Sequence, residues 1–125
     1  MKQQQKAAGC PVEVTLSIVG GKWKLQIVYC LLNGTKRFGE LRRLIPATTQ
    51  QMLTLQLREL EQAGIIHRQV YAQVPPKVEY SLTESGRSLE PIVYQIHAWG
   101  EWYCEQNNIE YWQLSDNMED HGIRA

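Results

Sequence analysis

The sequence predicts a mostly α-helical domain with a small β-hairpin, and three observations lead to that fold class. Apolar residues recur at helical spacing in several stretches before residue 64 and in one long stretch after residue 83. Between them, "RQVYAQVPPKVEYSLT" contains two β-type runs that meet at a pair of prolines. The chain has 125 residues, 43% hydrophobic and 21% charged, which is typical of one globular domain.

The first two helices are indicated by their ends as much as by their periodicity. Pro11 suits the first position of a helix, where its missing N–H costs nothing, and this makes Cys10 the expected N-cap. The glycine pair in "VGG" ends this helix. In "KWKLQIVYCLLNG", Ile27 and Leu31 lie on one face, which predicts a second helix that ends before Gly34.

A third and a fourth helix follow, separated by a tight turn that contains Pro46. The stretch "RFGELRRLI" predicts a short third helix with an apolar stripe on one side and two arginines on the other. The fourth helix, in "PATTQQMLTLQLRELEQAG", is expected to begin at a cap formed by Thr48 or Thr49 and to end at Gly64. Its predicted buried side consists of Met52, Leu53, Leu57 and Leu60.

The hairpin comes directly after the fourth helix. The runs "IIHRQVYAQV" and "KVEYSLT" predict its two strands, with side chains directed away from it at Arg68, Tyr71, Gln73 and Lys77. Two helices joined by a tight turn and followed by two strands have the order of a winged helix-turn-helix, and the hairpin would be its wing.

The last predicted helix is long and rich in aromatic residues. It lies in "ESGRSLEPIVYQIHAWGEWYCEQ", with Thr83 as its cap and Pro91 as the site of a kink or a delayed start. A small monomer does not need so long an apolar stripe, so we expect this helix to form half of a homodimer interface. The predicted interface residues are Leu89, Ile92, Val93, Ile96, Trp99 and Tyr103.

The predicted domain therefore covers residues 10–106 and ends in this dimerisation helix. Residues 1–9 are polar and small, which predicts a disordered N-terminus. Residues 107–125 form an acidic C-terminal tail to which the pattern assigns no fold.

Charge is distributed unevenly along a chain whose net charge is zero. Residues 22–68 carry eight basic and three acidic side chains, a net charge of +5, whereas residues 79–125 carry two basic and nine acidic side chains, a net charge of −7. The middle of the chain is thus suited to bind an anion. The alternative is that these charges are simply scattered over solvated faces.

The outer face of the fourth helix is the predicted DNA-reading surface. Gln51 can hydrogen-bond adenine, and Leu55 can lie against a thymine methyl, while Arg58, farther along the helix, is placed for a phosphate. The residues expected to approach bases are Thr48, Thr49, Gln50, Gln51, Thr54 and Leu55. The expected contacts to the backbone of double-stranded DNA are Lys22, Lys24, Arg37, Arg42, Arg43, Arg58 and Lys77, with Arg68 and Gln73 on the wing.

Several motifs also carry a family resemblance. From about Cys10 to about Tyr103, "CPVEVTLSIVGGKWK", "RFGELRRLI", "MLTLQLRELEQAGII" and "VPPKVEYSLTESGRSLEPI" resemble successive signatures of the HxlR-type branch of MarR-like winged-helix regulators. The resemblance implies a homodimer, built from the first and last helices, that binds an operator and controls transcription. Leu55 departs from the family pattern, in which a polar residue such as Gln is expected.

Cys10 is the predicted sensor thiol. A thiol at a helix N-cap faces free N–H groups and the positive end of the helix dipole, and both favour the thiolate. The resemblance implies a sensor of quinones, aldehydes or oxidants, because several relatives use a cysteine just before a proline in this way. The alternative is a small residue with no signalling role. Cys30 is expected in the core, and Cys104 can face the other subunit, so a bridge between Cys10 and Cys104 remains open.

Other classes of function find little in the sequence. No histidine has partners at metal-ligand spacing, and no phosphate loop, nucleophile elbow or paired-carboxylate motif occurs, so we expect neither a cofactor nor a metal. Without a signal peptide or an apolar membrane span, a cytoplasmic protein that is not an enzyme is expected. Two alternatives stay open, a winged-helix module that binds another protein and a small thiol-dependent enzyme. Trp99 and Trp102 would also suit the wall of a ligand pocket between subunits.

Overall fold

The computed structural model describes residues 9–113, which form six helices and three strands in winged-helix order. The elements are α1 (Pro11–Val19), α2 (Lys24–Leu31), β1 (Lys36–Arg37), α3 (Phe38–Leu44), α4 (Gln50–Gln62), β2 (Ile66–Tyr71), β3 (Lys77–Leu82), α5 (Glu84–Arg87) and α6 (Glu90–Gln106). Residues 1–8 of the predicted disordered N-terminus (1–9) and residues 114–125 of the predicted acidic tail (107–125) lie outside the described residues.

A three-stranded antiparallel sheet carries the wing. The predicted hairpin is present as β2 and β3, with Ile66 opposite Leu82 at one end and Tyr71 opposite Lys77 at the other. The two-residue strand β1 joins the far edge of β3, which gives the order β1-β3-β2. This strand was not predicted, because two residues are too few to show the alternation that marks a strand.

The core lies between α2, α3, α4 and the sheet. The completely buried side chains include Ile27 and Leu31 from α2, Leu41 from α3, and Leu53 and Leu60 from α4. These are residues that helical spacing assigned to inner faces, so this part of the fold follows directly from periodicity. The α1 helix contacts this core at its end, where Ile18 packs against it and Val19 is buried.

The turn into α4 is held by a threonine cap. The hydroxyl of Thr49 accepts a hydrogen bond from the backbone N–H of Met52 at 3.0 Å, which satisfies one of the free donors at the start of the helix. Gly64 follows the end of α4 with a φ of 76°, a left-handed conformation that glycine adopts without strain. The recognition helix of the predicted motif therefore has a defined start and end.

The long C-terminal segment is divided in two. Thr83 caps α5 through its hydroxyl, which accepts from the N–H of Gly86 at 3.1 Å. Pro91 lies in the first turn of α6, where a proline is tolerated. Of the two outcomes predicted for Pro91, the delayed helix start is therefore the one observed.

Residues 107–113 fold back along α6. The turn passes through Asn108, which has a φ of 55°, and the N–H of Ile109 donates to the carbonyl of Cys104 at 2.9 Å. The side chain of Gln113 then lies between two residues of α6, 2.7 Å from the Nε2 of His97 and 2.7 Å from the Oε2 of Glu101. The sequence assigned no fold to this stretch, and these contacts show that its first seven residues are attached to the last helix.

Candidate nucleic-acid interface

The outer face of α4 is polar at its start and is available to a ligand. Three buried leucines point into the core and hold the helix in one rotation about its axis: Leu53, Leu57 and Leu60. All the predicted residues within this helix are exposed, namely Gln50, Gln51, Thr54, Leu55 and Arg58. Of these, Gln51, Leu55 and Arg58 lie on the side opposite the leucines. The first turn of a helix inserted in a major groove approaches the bases most closely, and two glutamines lie in that turn.

The start of α4 borders a shallow concave surface. Its lining residues are Thr49, Gln50, Gln51 and Thr54. The hydroxyl of Thr54 donates to the carbonyl of Gln50 at 2.9 Å, so its oxygen can still accept a further bond. Both glutamine side chains are exposed, and each offers an amide donor and acceptor to a base edge.

Thr48 does not belong to this surface, which corrects its prediction as a base-contacting residue. It is buried, with 4% of its area exposed, and its hydroxyl lies 3.4 Å from the carbonyl of Thr49. The sequence could not choose between Thr48 and Thr49 as the cap. Because Thr49 takes the cap, the preceding residue turns inward.

A cleft connects α4 to the base of the wing. It has a volume of about 330 Å³, and its lining includes both Arg58 of α4 and Arg68 of β2. Both arginines are exposed, and Glu61 in the same cleft offsets part of their charge. The structure therefore joins here two of the predicted phosphate contacts that are ten residues apart in the sequence.

Lys24 is structural, which corrects its prediction as a backbone-neutralising residue. Its Nζ lies 2.8 Å from the Oε1 of Glu59, and only 11% of its side chain is exposed. The pair therefore joins α2 to α4. An ammonium group already paired and largely covered is poorly placed to neutralise a phosphate.

Two of the side chains predicted to contact the DNA backbone are exposed to solvent, one on α3 and the other just before α2. Lys22 is exposed and lies over the Trp23 ring, 4.8 Å from its centre. Arg43 is exposed on α3. Both cations can therefore approach a phosphate without prior rearrangement of the fold.

Two other cations of the basic region are less accessible. Arg42 is only partly exposed, and its Nε is buried without a hydrogen-bond partner among residues 9–113. Lys36, which contributed to the basic excess, is buried and donates to the carbonyl of Gly34 at 3.3 Å. The accessible positive charge is thus smaller than the sequence count indicates.

Arg37 caps α3 and still presents its side chain to solvent. Its backbone N–H donates to the Glu40 carboxylate at 2.9 Å, which holds the start of the helix. The exposed guanidinium of Arg37 is therefore carried by a fixed backbone at the junction of β1 and α3.

The wing has a charged side and an apolar tip. Lys77 lies 3.6 Å from the Glu79 carboxylate and 4.5 Å from the centre of the Tyr71 ring, so its charge is partly compensated. A hydrogen bond to Glu79, together with the negative charge of that group, raises the pKa of Tyr71. Gln73 is exposed, and Val74 at the tip is fully exposed, a feature that was not predicted.

The predicted dimer face on α6 is largely exposed in the monomer. The accessible fractions are 43%, 50%, 61% and 43% for Ile92, Ile96, Trp99 and Tyr103. Trp99 stacks on Tyr103 within this surface, with ring centres 5.1 Å apart.

Two of the predicted interface residues instead face the monomer core. Val93 is buried, and Leu89 is partly buried against the core. A single helical stripe cannot show that its two edges have different neighbours, so the sequence placed all six residues together. Conversely, two exposed apolar residues of α1, Val12 and Leu16, were not predicted, although their spacing of four residues is a helical signal.

The cysteines have different environments. Cys10 is exposed at the N-cap of α1, and its side chain makes no capping hydrogen bond. The backbone N–H groups of Glu13 and Val12 are nevertheless directed towards its sulfur, and they lower the pKa of the thiol. Burial raises the pKa of Cys30 to about 12, which keeps that thiol protonated. Cys104 is partly exposed on α6.

Metal sites and membrane spans each require a recognisable grouping of residues. Among residues 9–113, no group of three or more His, Cys, Asp and Glu side chains is placed to hold a metal ion. Within the same part of the chain, none of the helices is long and apolar enough to span a bilayer.

A family model described as HxlR-like helix-turn-helix matches residues 18–108 of the chain. The chain belongs to the HxlR-like family. It is 58% identical over 112 residues to the uncharacterized HTH-type transcriptional regulator YdeP of Bacillus subtilis (strain 168), a match that covers 90% of this chain and 86% of YdeP.

Two solved structures of the redox regulator HypR are similar to this HxlR-like chain. The reduced form has a TM-score of 0.76 and 59% identity, and the match covers 81% of this chain and 100% of HypR. The oxidized form has a TM-score of 0.71 and 66% identity, and the match covers 74% of this chain and 95% of HypR.

Membership in the HxlR-like family confirms the predicted fold class and function class. The protein is a DNA-binding winged-helix transcriptional regulator and not an enzyme. The alternative of a protein-binding module finds no support among these relatives, since YdeP is named as an HTH-type transcriptional regulator and HypR as a redox regulator.

Proposed function

We propose that this HxlR-like regulator acts in the cytoplasm as a homodimer that binds a specific DNA operator and responds to an oxidant or electrophile through Cys10. The observation that carries the proposal is the outer face of α4. This helix is fixed on its inner side by three buried leucines and is open on the side where its glutamines lie.

Recognition of the operator begins at the first turn of α4. Gln50 and Gln51 carry the bidentate hydrogen-bonding groups suited to adenine. Positive charge along the adjoining cleft comes from Arg58 and Arg68. Further charge without base preference comes from the exposed Lys22 and Arg43. The arrangement supports one reading head per subunit with the wing alongside.

Dimerisation would cover the apolar faces that the monomer leaves exposed on α1 and α6. Burial of this apolar surface would stabilise the dimer by about 25 cal/mol per Å² removed from water. The exposed residues concerned are Val12 and Leu16 on α1, and Trp99 and Tyr103 on α6. A two-fold dimer would place two copies of α4 about 34 Å apart, one turn of DNA. The operator is then expected to be an inverted repeat.

Control would act through the thiolate of Cys10. This sulfur lies at the start of α1, the helix whose exposed face we assign to the dimer. A quinone would accept the thiolate by conjugate addition: a C–S bond forms, the ring C=C π pair moves onto the carbonyl oxygen, and that oxygen takes a proton from water. An oxidant would instead take two electrons from two thiolates and leave a disulfide. The similarity to HypR, solved in both oxidized and reduced forms, supports a redox response. A small rotation of α1 would alter the separation of the reading heads.

The proposal is tested by DNA binding before and after thiol modification. Duplexes are selected from a randomised pool with the full-length protein, and affinity is measured by fluorescence anisotropy over a range of salt concentrations. We expect one inverted repeat to be enriched, a steep loss of affinity with salt, and release after treatment with diamide or a quinone.

The matched control uses the other accessible cysteine. Cys10→Ser should remain bound after treatment, whereas Cys104→Ser should be released like the wild type if Cys10 reacts with a small electrophile. Release of the Cys10→Ser protein would contradict the assignment of the sensor. Enrichment of no sequence would contradict operator binding itself.

A further inference from the structure

The outer face of α4 carries two apolar side chains that hydrogen bonding to bases does not explain. Met52 is 36% exposed and Leu55 is 42% exposed, although the sequence placed Met52 on the buried side. Three buried leucines, at positions 53, 57 and 60, fix the helix. At 100° per residue, the direction opposite to them lies about 13° from Leu55, so Leu55 points most directly outward among the side chains of the first two turns.

The two apolar side chains are neighbours on the helix. Residues three positions apart have Cβ atoms about 5–6 Å apart, so Met52 and Leu55 form one small patch. Met52 lies in the first turn, where its N–H is held by the Thr49 cap at 3.0 Å. Its sulfur accepts from the Nε2 of Gln56 at 3.2 Å, which directs the side chain along the surface and away from the core.

We propose that Met52 and Leu55 form a thymine-methyl reader, so that the operator contains thymines opposite this patch in the major groove. The inference rests on the proposed function, because it requires α4 to lie in the groove. Of the groups that base pairs present there, the C5-methyl of thymine is the apolar one, and an apolar side chain is its natural contact. Gln51, on the adjoining part of the face, is placed to bond the adenine of the same or a neighbouring pair.

The size of the effect follows from the burial of one methyl group. Removing a methyl from such a contact costs about 0.8 kcal/mol, which corresponds to about a fourfold increase in Kd. A hydrogen bond to a base would behave differently, because binding that depends on it would not change when thymine is replaced by deoxyuridine. The two bases differ only in the C5-methyl, so the comparison isolates this contact.

The test is a cycle of protein and DNA substitutions. The duplex most enriched from the randomised pool is synthesised with thymine replaced by deoxyuridine, first throughout and then at single positions. Binding is measured for the wild type and for Met52→Ala, Leu55→Ala and Leu55→Gln. The control is Gln62→Ala, a substitution of an exposed residue at the far end of the same helix.

We expect deoxyuridine at one or two positions to weaken binding by the wild type and Gln62→Ala about fourfold per methyl. At the thymine that contacts Leu55, the same DNA change should have almost no effect on binding by Leu55→Ala or by Leu55→Gln. Met52→Ala should lose sensitivity at a different thymine from Leu55→Ala. Alanine has the highest helix propensity, so these variants should fold, as circular dichroism would verify.

Two results would overturn the assignment. Penalties that are the same in the wild type, Leu55→Ala and Met52→Ala at every sensitive thymine would show that the methyl acts through DNA shape. The absence of a penalty in the wild type would show that no thymine is read. In either case, the enriched duplex would still support operator binding. Failure to enrich any duplex would instead overturn the proposed function, and this inference with it.

Discussion

The pair between Lys24 and Glu59 predicts an asymmetric response to mutation. Its two members differ in exposure, because the Lys24 side chain is 11% exposed and that of Glu59 is 43% exposed. Replacing either residue by methionine removes the ion pair while keeping a long unbranched side chain. Lys24→Met leaves a carboxylate that water can solvate, whereas Glu59→Met leaves a largely buried ammonium without this partner.

The expected magnitudes follow from that difference. Lys24→Met should lower the free energy of unfolding by about 0.5 kcal/mol, the scale of an exposed pair, because methionine also suits the covered position. Glu59→Met should cost about 2 kcal/mol, the scale of a buried polar group deprived of its partner. The double variant should resemble Lys24→Met, because neither charge then remains.

Urea denaturation, followed by circular dichroism, measures all three variants, and DNA binding provides the second assay. For Lys24→Met we expect the slope of log Kd against log salt to match the wild type, because the Lys24 ammonium is already paired with Glu59. Arg43→Ala is the matched control, since Arg43 is exposed, and its slope should fall by about one. A Lys24→Met protein with unchanged stability and a reduced slope would refute the structural role of Lys24.

Further predictions concern the reading face, the thiols and the C-terminal segment. Gln51→Ala should cost about 1–3 kcal/mol on the enriched duplex and relax one base position, and an equal loss on every duplex would remove Gln51 from the reading face. The pKa of the Cys10 thiol is lowered in the folded protein. Near neutral pH, Cys10 should therefore react with iodoacetamide faster in the folded protein than in the urea-unfolded protein, and its half-maximal rate should fall at a lower pH. Cys30, with a pKa of about 12, should react only after unfolding, so its alkylation in the native protein would contradict its burial. Gln113→Ala removes two hydrogen bonds to α6 and should speed amide exchange at Ile109 without changing exchange in the core.

The order and type of the main elements could be predicted from the sequence because they depend on local chemistry. The leucine spacing of α4, the threonine before it and the glycine after it all act within a few residues. The same holds for the delayed start of α6 at Pro91, since proline excludes a regular helix on its N-terminal side. The outer face of α4 was also predictable, as it is the side opposite the buried leucines.

Tertiary structure alone decided which charged and apolar residues remain available. Lys24 and Arg43 are both basic in the sequence, but only the approach of α2 to α4 covers Lys24 with Glu59. Packing around the start of α4 also buries Thr48, while Met52 turns partly outward. A helical wheel gives the angle of a side chain, but it cannot show which neighbouring element approaches at that angle or how closely.

The C-terminal helix shows the same division. Its apolar stripe was evident from the sequence, but Val93 packs into the core while Trp99 remains exposed, because the core contacts only one edge of the stripe. The sequence by itself therefore determined the helices, the wing and the family of this regulator. The packing of those elements decided which side chains remain free to meet DNA, a thiol reagent or a second subunit.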